Sequence, residues 1–205
     1  MIDRQTIKFF QHLPKLEESD NHFFESVFDI TSADLKVMHD LAKTIDIPPR
    51  IRKKYRWYID DHTDKLYSKD LCNVNGVPAH DHYQKMFPGA VIENPILEWL
   101  PEYEPFKNAL ETIGKQWRWV MIVRIDPMGY WGPHYNIPGP EDQDNYTLYW
   151  IPLNQVKNRF FAAEDTGYFE PQAGKAYIQR GNIYKYSTIN LGNEPMYNIT
   201  GVCLP

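Results

Sequence analysis

Trp117-Arg-Trp-Val-Met-Ile-Val-Arg-Ile-Asp126 decides the fold class. One face of this run carries Trp117, Trp119, Met121, Val123 and Ile125, and the other carries Arg118, Val120, Ile122 and Arg124. A period of two with apolar bulk on one side predicts a half-buried strand. Pro127-Met-Gly129 then predicts a turn, followed by Gly129-Tyr-Trp-Gly-Pro-His134-Tyr-Asn136. Downstream, Pro138-Gly-Pro140 and Glu141-Asp-Gln-Asp144 predict a loop, and further strands are expected over 146–153, 159–163, 167–170, 175–179, 183–189 and 196–202. About eight strands with regular turn signals and no helix between them predict a sandwich or a jelly roll, two antiparallel sheets facing across a cavity.

Upstream, the pattern loosens. Residues 1–30 mix Phe9, Phe10, Leu13, Phe23, Phe24, Val27 and Phe28 with acidic residues in no sustained period, which predicts an irregular arm. Thr31-Ser-Ala-Asp34 supplies caps for a helix whose stripe is Leu35, Val37, Met38, Leu41 and Ala42 and which must stop before Pro48-Pro49. A second helix is expected over Ile51, Tyr55, Tyr58 and Ile59, extended chain and turns over 73–101, and a helix over 102–116 built on Phe106, Leu110 and Ile113. The expected organisation is therefore a helical and irregular extension, residues 1–116, packed on a β domain, residues 117–205.

The 205-residue chain is long enough for one domain with a substantial core. Six Trp, 14 Tyr and 10 Phe suit pleated surfaces and an aromatic-lined cavity. The net charge of -5 argues against general nucleic-acid binding, and the basic run Arg50, Arg52, Lys53, Lys54 and Arg56 is expected to be a solvated helix face. Two cysteines, Cys72 and Cys203, make no disulfide framework and lack metal-ligand spacing. No signal-like segment or membrane span is legible, so a cytoplasmic location is expected. His80 and His82 would share one face of a strand, but two ligands without a third are explained as surface histidines. No nucleophile elbow, phosphate-cradling glycine loop, HExxH or CxxC occurs.

Arg124-Ile-Asp-Pro-Met-Gly ahead of His134, then Ile151-Pro-Leu-Asn154, Phe160-Phe161, Gly174-Lys175 and Asn190-Leu-Gly-Asn, stand in an order and spacing that resembles the aspartyl/asparaginyl β-hydroxylases. The resemblance covers residues 119–203. It implies a double-stranded β-helix, cupin-like, of the Fe(II)/2-oxoglutarate dioxygenases, with iron held on His ligands, with or without a carboxylate, and positions open for the keto acid and oxygen.

That resemblance assigns roles residue by residue. His134 matches the first His ligand, and Asn136 falls where many relatives have Asp. Tyr186 stands where the second His belongs, and could bind iron as a phenolate. Leu148 and Trp150 occupy the places of an Arg and a His that serve the keto acid or the substrate, and Met196 that of an Arg gripping the distal carboxylate, which a Met cannot pair with. Arg124 or Arg159 is left to supply a carboxylate anchor from another strand; Lys185 reaches the cavity only after a one-residue register shift.

Two functions follow. One is an oxygenase acting on a small molecule or peptide with iron and 2-oxoglutarate. The other is a cofactor-free jelly roll binding a ligand or peptide among Trp131, Tyr135, Leu148, Trp150, Tyr184 and Tyr186. Neither involves nucleic acid or membrane.

Overall fold

The computed structural model describes residues 2–17, 26–50, 63–74, 77–78, 97–113, 117–134, 147–164, 166–179 and 185–203. In chain order these form α1 (Arg4–Gln11), β1 (Ser26–Asp29), α2 (Ser32–Thr44), β2 (Thr63–Asp70), β3 (Cys72–Val74), β4 (Val77–Pro78) and β5 (Leu97–Trp99). A 3-10 turn (Pro101–Tyr103) leads into α3 (Glu104–Glu111). The remainder is β6 (Trp117–His134), β7 (Thr147–Pro152), β8 (Arg159–Ala163), β9 (Gly167–Phe169), β10 (Lys175–Gln179), β11 (Tyr186–Asn190) and β12 (Met196–Cys203).

Nine strands make one antiparallel sheet in the order β1-β10-β7-β12-β6-β11-β8-β9, with β2 also on β6, and β4-β3-β5 form a small second sheet. Long β6 is the spine. Its first part pairs with β12, from Trp117↔Cys203 to Ile125↔Met196, and its last part with β11, from Tyr130↔Ile189 to His134↔Tyr186. The turn expected at Pro127-Met-Gly129 is instead a bend inside this strand, with Met128 at φ 61°. Proline lacks a ladder donor, so its place is the gap between the two partners. A Cβ on Gly129 would lie 2.8 Å from the Asp126 carbonyl oxygen, so the bend needs a residue without a side chain.

The bend folds the sheet back on itself. Trp150 of β7 and Phe161 of β8 are separated by three strands in the sheet order, yet their rings meet edge-on at 4.9 Å. Tyr177 of β10 meets Phe161 at 6.5 Å and Phe169 of β9 at 5.5 Å across the same interior. The result is a jelly roll, with β1, β10, β7, β12 and the first part of β6 facing the rest of β6, β11, β8 and β9.

The first strand is buried on both faces, not half-buried. Arg118, Val120 and Ile122 are as inaccessible as Met121 and Val123, because the outer face is covered too. His39 of α2 packs on Tyr197, and the Trp117 indole donates to the Leu110 carbonyl of α3 at 3.1 Å.

Upstream of residue 117 the sequence reading needs several corrections. The expected arm contains α1 and β1. These are short elements fixed by context: Asp3 Oδ1 caps α1 by accepting from the Gln5 and Thr6 amides, and β1 pairs with β10. α2 forms where expected, with Thr31 Oγ1 accepting from the Asp34 amide. The helix expected over 102–116 is α3 alone, and residues 114–116 lie outside the described residues. So do the segment 51–59 and His80 and His82. Strands β1 and β2 join the main sheet from the first half of the chain.

Removing the ring that closes the roll tests this architecture. Phe161→Ala is expected to cost about 3–5 kcal/mol in urea unfolding, as for other fully buried Phe truncations; a loss below about 1 kcal/mol would mean that Phe161 is not packed between the two halves.

Candidate functional site

The site is built where β6 ends against β11. His134 and Tyr186 are directly paired across the two strands, and both are buried. The imidazole Nδ1 lies 2.7 Å from the Gly132 carbonyl oxygen. A carbonyl only accepts, so Nδ1 carries a proton, and in the neutral ring Nε2 is then the lone-pair nitrogen. One face of the imidazole stacks on Trp131, with centroids 4.5 Å apart and planes within 13°, and the Tyr186 ring lies 4.4 Å away at 53°. Ser187, next to Tyr186, donates to the Trp131 carbonyl at 2.7 Å and pins β11 to β6 here.

Alternation along the strands carries this cluster inward. Trp131 meets Trp150 at 6.2 Å, and Trp150 meets Phe161. Leu148 and Trp150 share a face of β7, and Thr200 and Asn198 of β12 lie on the same inner surface by register. Among the described residues, the indole nitrogens of Trp131 and Trp150, the hydroxyls of Thr188 and Thr200 and both amide atoms of Asn198 are buried without a hydrogen-bond partner.

The structure thus brings together His134, Tyr186, Trp131 and Trp150. Arg124, expected as a cosubstrate anchor, is not with them: it shares the outer face with Tyr67 and Tyr197, its Nε 3.0 Å from Asp126 Oδ1 and its guanidinium 4.0 Å over the Tyr67 ring. Met196 is fully buried opposite Ile125. Lys185 pairs with Glu164 at 3.5 Å on a partly exposed edge. Tyr135, Asn136 and Tyr184 lie outside the described residues.

Arg50 is the residue the sequence reading misplaced. Expected on a solvated helix face, it lies over the far side of the site, its guanidinium 4.4 Å from the Trp131 ring centre. The Arg50 amide donates to the Leu66 carbonyl, tying the segment to β2. Nothing in a basic run signals that Arg50 stacks on an aromatic ring.

The fold has known counterparts. A 2OG-Fe(II) oxygenase family oxidoreductase from Burkholderia pseudomallei superposes with TM-score 0.52 at 14% identity, over 84% of this chain and 78% of that one. The viral collagen prolyl hydroxylase of Paramecium bursaria Chlorella virus 1, in complex with 2OG, superposes with TM-score 0.52 at 10% identity, over 91% and 99%. The chain shares the jelly-roll fold of these two proteins. No protein-family model matches the chain, nor does any curated protein by sequence.

Against that fold, the residues present can be weighed for a metal. Among the described residues no group of three His, Cys, Asp or Glu is assembled. What stands at the end of β6 is one imidazole, whose Nδ1 donates to a backbone carbonyl as in many metal-bound histidines, and one phenol straight across from it. Such a pair fits a cation as two donors of a larger set, with the phenol ionising on binding.

The contact between Arg50 and Trp131 is measurable. A double-mutant cycle of Arg50→Met with Trp131→Leu is expected to return a coupling of about 0.5–2 kcal/mol in stability; strict additivity would place Arg50 away from the ring.

Proposed function

We propose that this chain is an oxygenase of the Fe(II)/2-oxoglutarate type, diverged from the aspartyl/asparaginyl β-hydroxylases, that acts on a small molecule or a peptide side chain. One observation carries this reading: the Gly132 carbonyl fixes His134 with its proton on Nδ1 and leaves Nε2 as the donor nitrogen at the end of β6. His134 and Tyr186 would hold the metal, and Asn136 is the third residue of the set. Bound iron with a keto acid supplies oxygen activation for hydroxylation.

The chain's own residues do the rest. The Gly132 carbonyl orients the imidazole, Trp131 holds it from one face, and Trp131 with Trp150 forms a wall that keeps bulk water from the interior. Tyr186 yields its hydroxyl proton if it binds, and a phenolate favours the ferric over the ferrous ion, so turnover would be slower than with a second histidine. The described helices include none long and apolar enough to cross a membrane; a cytoplasmic setting without membrane or nucleic-acid partners is part of the proposal.

A second reading has its own support. The polar groups left unpaired on the inner surface suit a jelly roll that binds a ligand without turning it over. The two separate on metal content. Protein purified without chelator is expected to hold iron that His134→Ala lacks, and the ferric form to show a visible phenolate charge-transfer band that disappears in Tyr186→Phe. Equal, negligible iron in wild type and His134→Ala would leave only the binding role.

A further inference from the structure

We propose that Trp131, Trp150 and Trp119 form a one-electron relay that carries an oxidising equivalent away from the His134 end of the roll and holds it at Trp119. The oxygenase reading supplies only the source, a one-electron oxidant formed at the end of β6; the relay itself belongs to the protein and needs no metal.

The three indoles follow one another along the interior. Trp131 stacks on the His134 imidazole at 4.5 Å and meets Trp150 at 6.2 Å. Leu148, on the same face of β7 as Trp150, pairs with Val202 of β12, and Val202 pairs with Trp119 of β6. Two strand spacings and two residues therefore separate Trp150 from Trp119, about 12 Å between Cα atoms.

An indole that loses an electron becomes a cation with an acidic N–H. It is easiest to oxidise where a base takes that proton and hardest where a positive charge lies close. The three differ in these two respects. Trp131 has the Arg50 guanidinium 4.4 Å from its ring centre, and its Nε1 has no acceptor among the described residues. Arg50 is held in place by the Pro49–Tyr67 bridge, by its amide on the Leu66 carbonyl and by Nη1 4.0 Å from Met121 Sδ. A cation that attracts the neutral ring repels the oxidised one. Trp150 also has no acceptor for Nε1, but no cation lies over its ring among the described residues. Trp119 donates Nε1–H to Asp70 Oδ1 at 2.9 Å, whereas Trp117 donates to the Leu110 carbonyl, which cannot keep a proton.

Oxidation thus becomes easier from Trp131 through Trp150 to Trp119, which gives the hole a direction. The oxidant gains one electron from Trp131, which regains it from Trp150, and Trp150 regains it from Trp119. In that last step the Trp119 N–H bond breaks and its proton forms an O–H bond on Asp70, leaving a neutral indolyl radical. Arg50 keeps the hole off the ring that stacks on His134.

Flash photolysis of the metal-free full chain tests the relay. A ruthenium polypyridyl label on Lys185→Cys sets a photogenerated one-electron oxidant beside Tyr186, and both native cysteines are buried. Trp57→Phe and Trp99→Phe remove other indoles from the background. Transient visible absorption is expected to show a deprotonated indolyl radical that is lost in Trp119→Phe and delayed in Trp150→Phe. Asp70→Asn, whose amide oxygen still accepts the hydrogen bond but cannot take the proton, should lose the deprotonated form. Arg50→Met should raise about tenfold the part of the signal that Trp131→Phe removes, and Arg50→Lys, which keeps the charge, should not. If Trp119→Phe is poorly folded, Asp70→Asn decides. A radical that forms equally in Trp119→Phe, one that stays deprotonated in Asp70→Asn, or a Trp131 share that Arg50→Met leaves unchanged would overturn the relay. Iron content of the purified protein bears only on the oxygenase reading, so the two can fail separately.

Discussion

The edge-to-face contact of Trp150 with Phe161 is the constraint on which the rest depends. These rings belong to strands that never pair, and they meet because β6 bends at Pro127-Met128-Gly129 and carries one half of the sheet over the other. Once that contact exists, the period of two leaves little choice about what lies inside. Trp131 and Tyr177 follow Trp150 and Phe161 inward, and with them come His134 and Tyr186, which pair at the end of the bent strand. Apolar burial drives the closure, at about 25 cal/mol per Å² of surface removed from water. The polar groups are carried along.

Those passengers give the interior its character. A core built only for stability would leave no indole, hydroxyl or amide without a partner, because each costs about 1–3 kcal/mol when buried unmet. Here Trp131, Trp150, Thr188, Asn198, Thr200 and Arg159 all carry such groups on the inner surface. The aromatic contacts around them hold the positions of these side chains, so the polar atoms are arranged before any ligand arrives. This is the condition under which binding loses least to reorganisation. Stability and recognition therefore draw on the same strands: the rings close the roll, and the side chains between them face what it encloses.

The β half was legible because alternation is a local signal that tertiary packing amplifies. Strands from β7 to β12 fall within a few residues of their expected places. The error at Pro127 is instructive: proline and glycine signal a break in the ladder, and a bend between two partners breaks it as well as a turn does. Alternation also placed Arg124 opposite Val123 and Ile125, the outward position it occupies, whereas its expected role came from resemblance. The upstream elements were harder to read. The capped, striped α2 was visible, but α1 is eight residues with a single buried one, Thr6, and β1 exists as a strand by pairing with β10, so neither carries a pattern long enough to stand out in the sequence. Arg50 on Trp131 had no sequence signal at all, since the contact joins segments far apart in the chain.

The central claim is that His134 is an inward, tautomerically fixed imidazole at the junction of β6 and β11. Nitrogen-15 NMR of histidine-labelled protein, with the signal assigned through His134→Gln, reads this directly. The account predicts a single slowly exchanging species protonated at Nδ1, with unprotonated Nε2 and contacts to the Trp131 and Tyr186 rings. An imidazole protonated at Nε2 instead, or a rapidly averaging signal of the kind a solvent-exposed histidine gives, would contradict it.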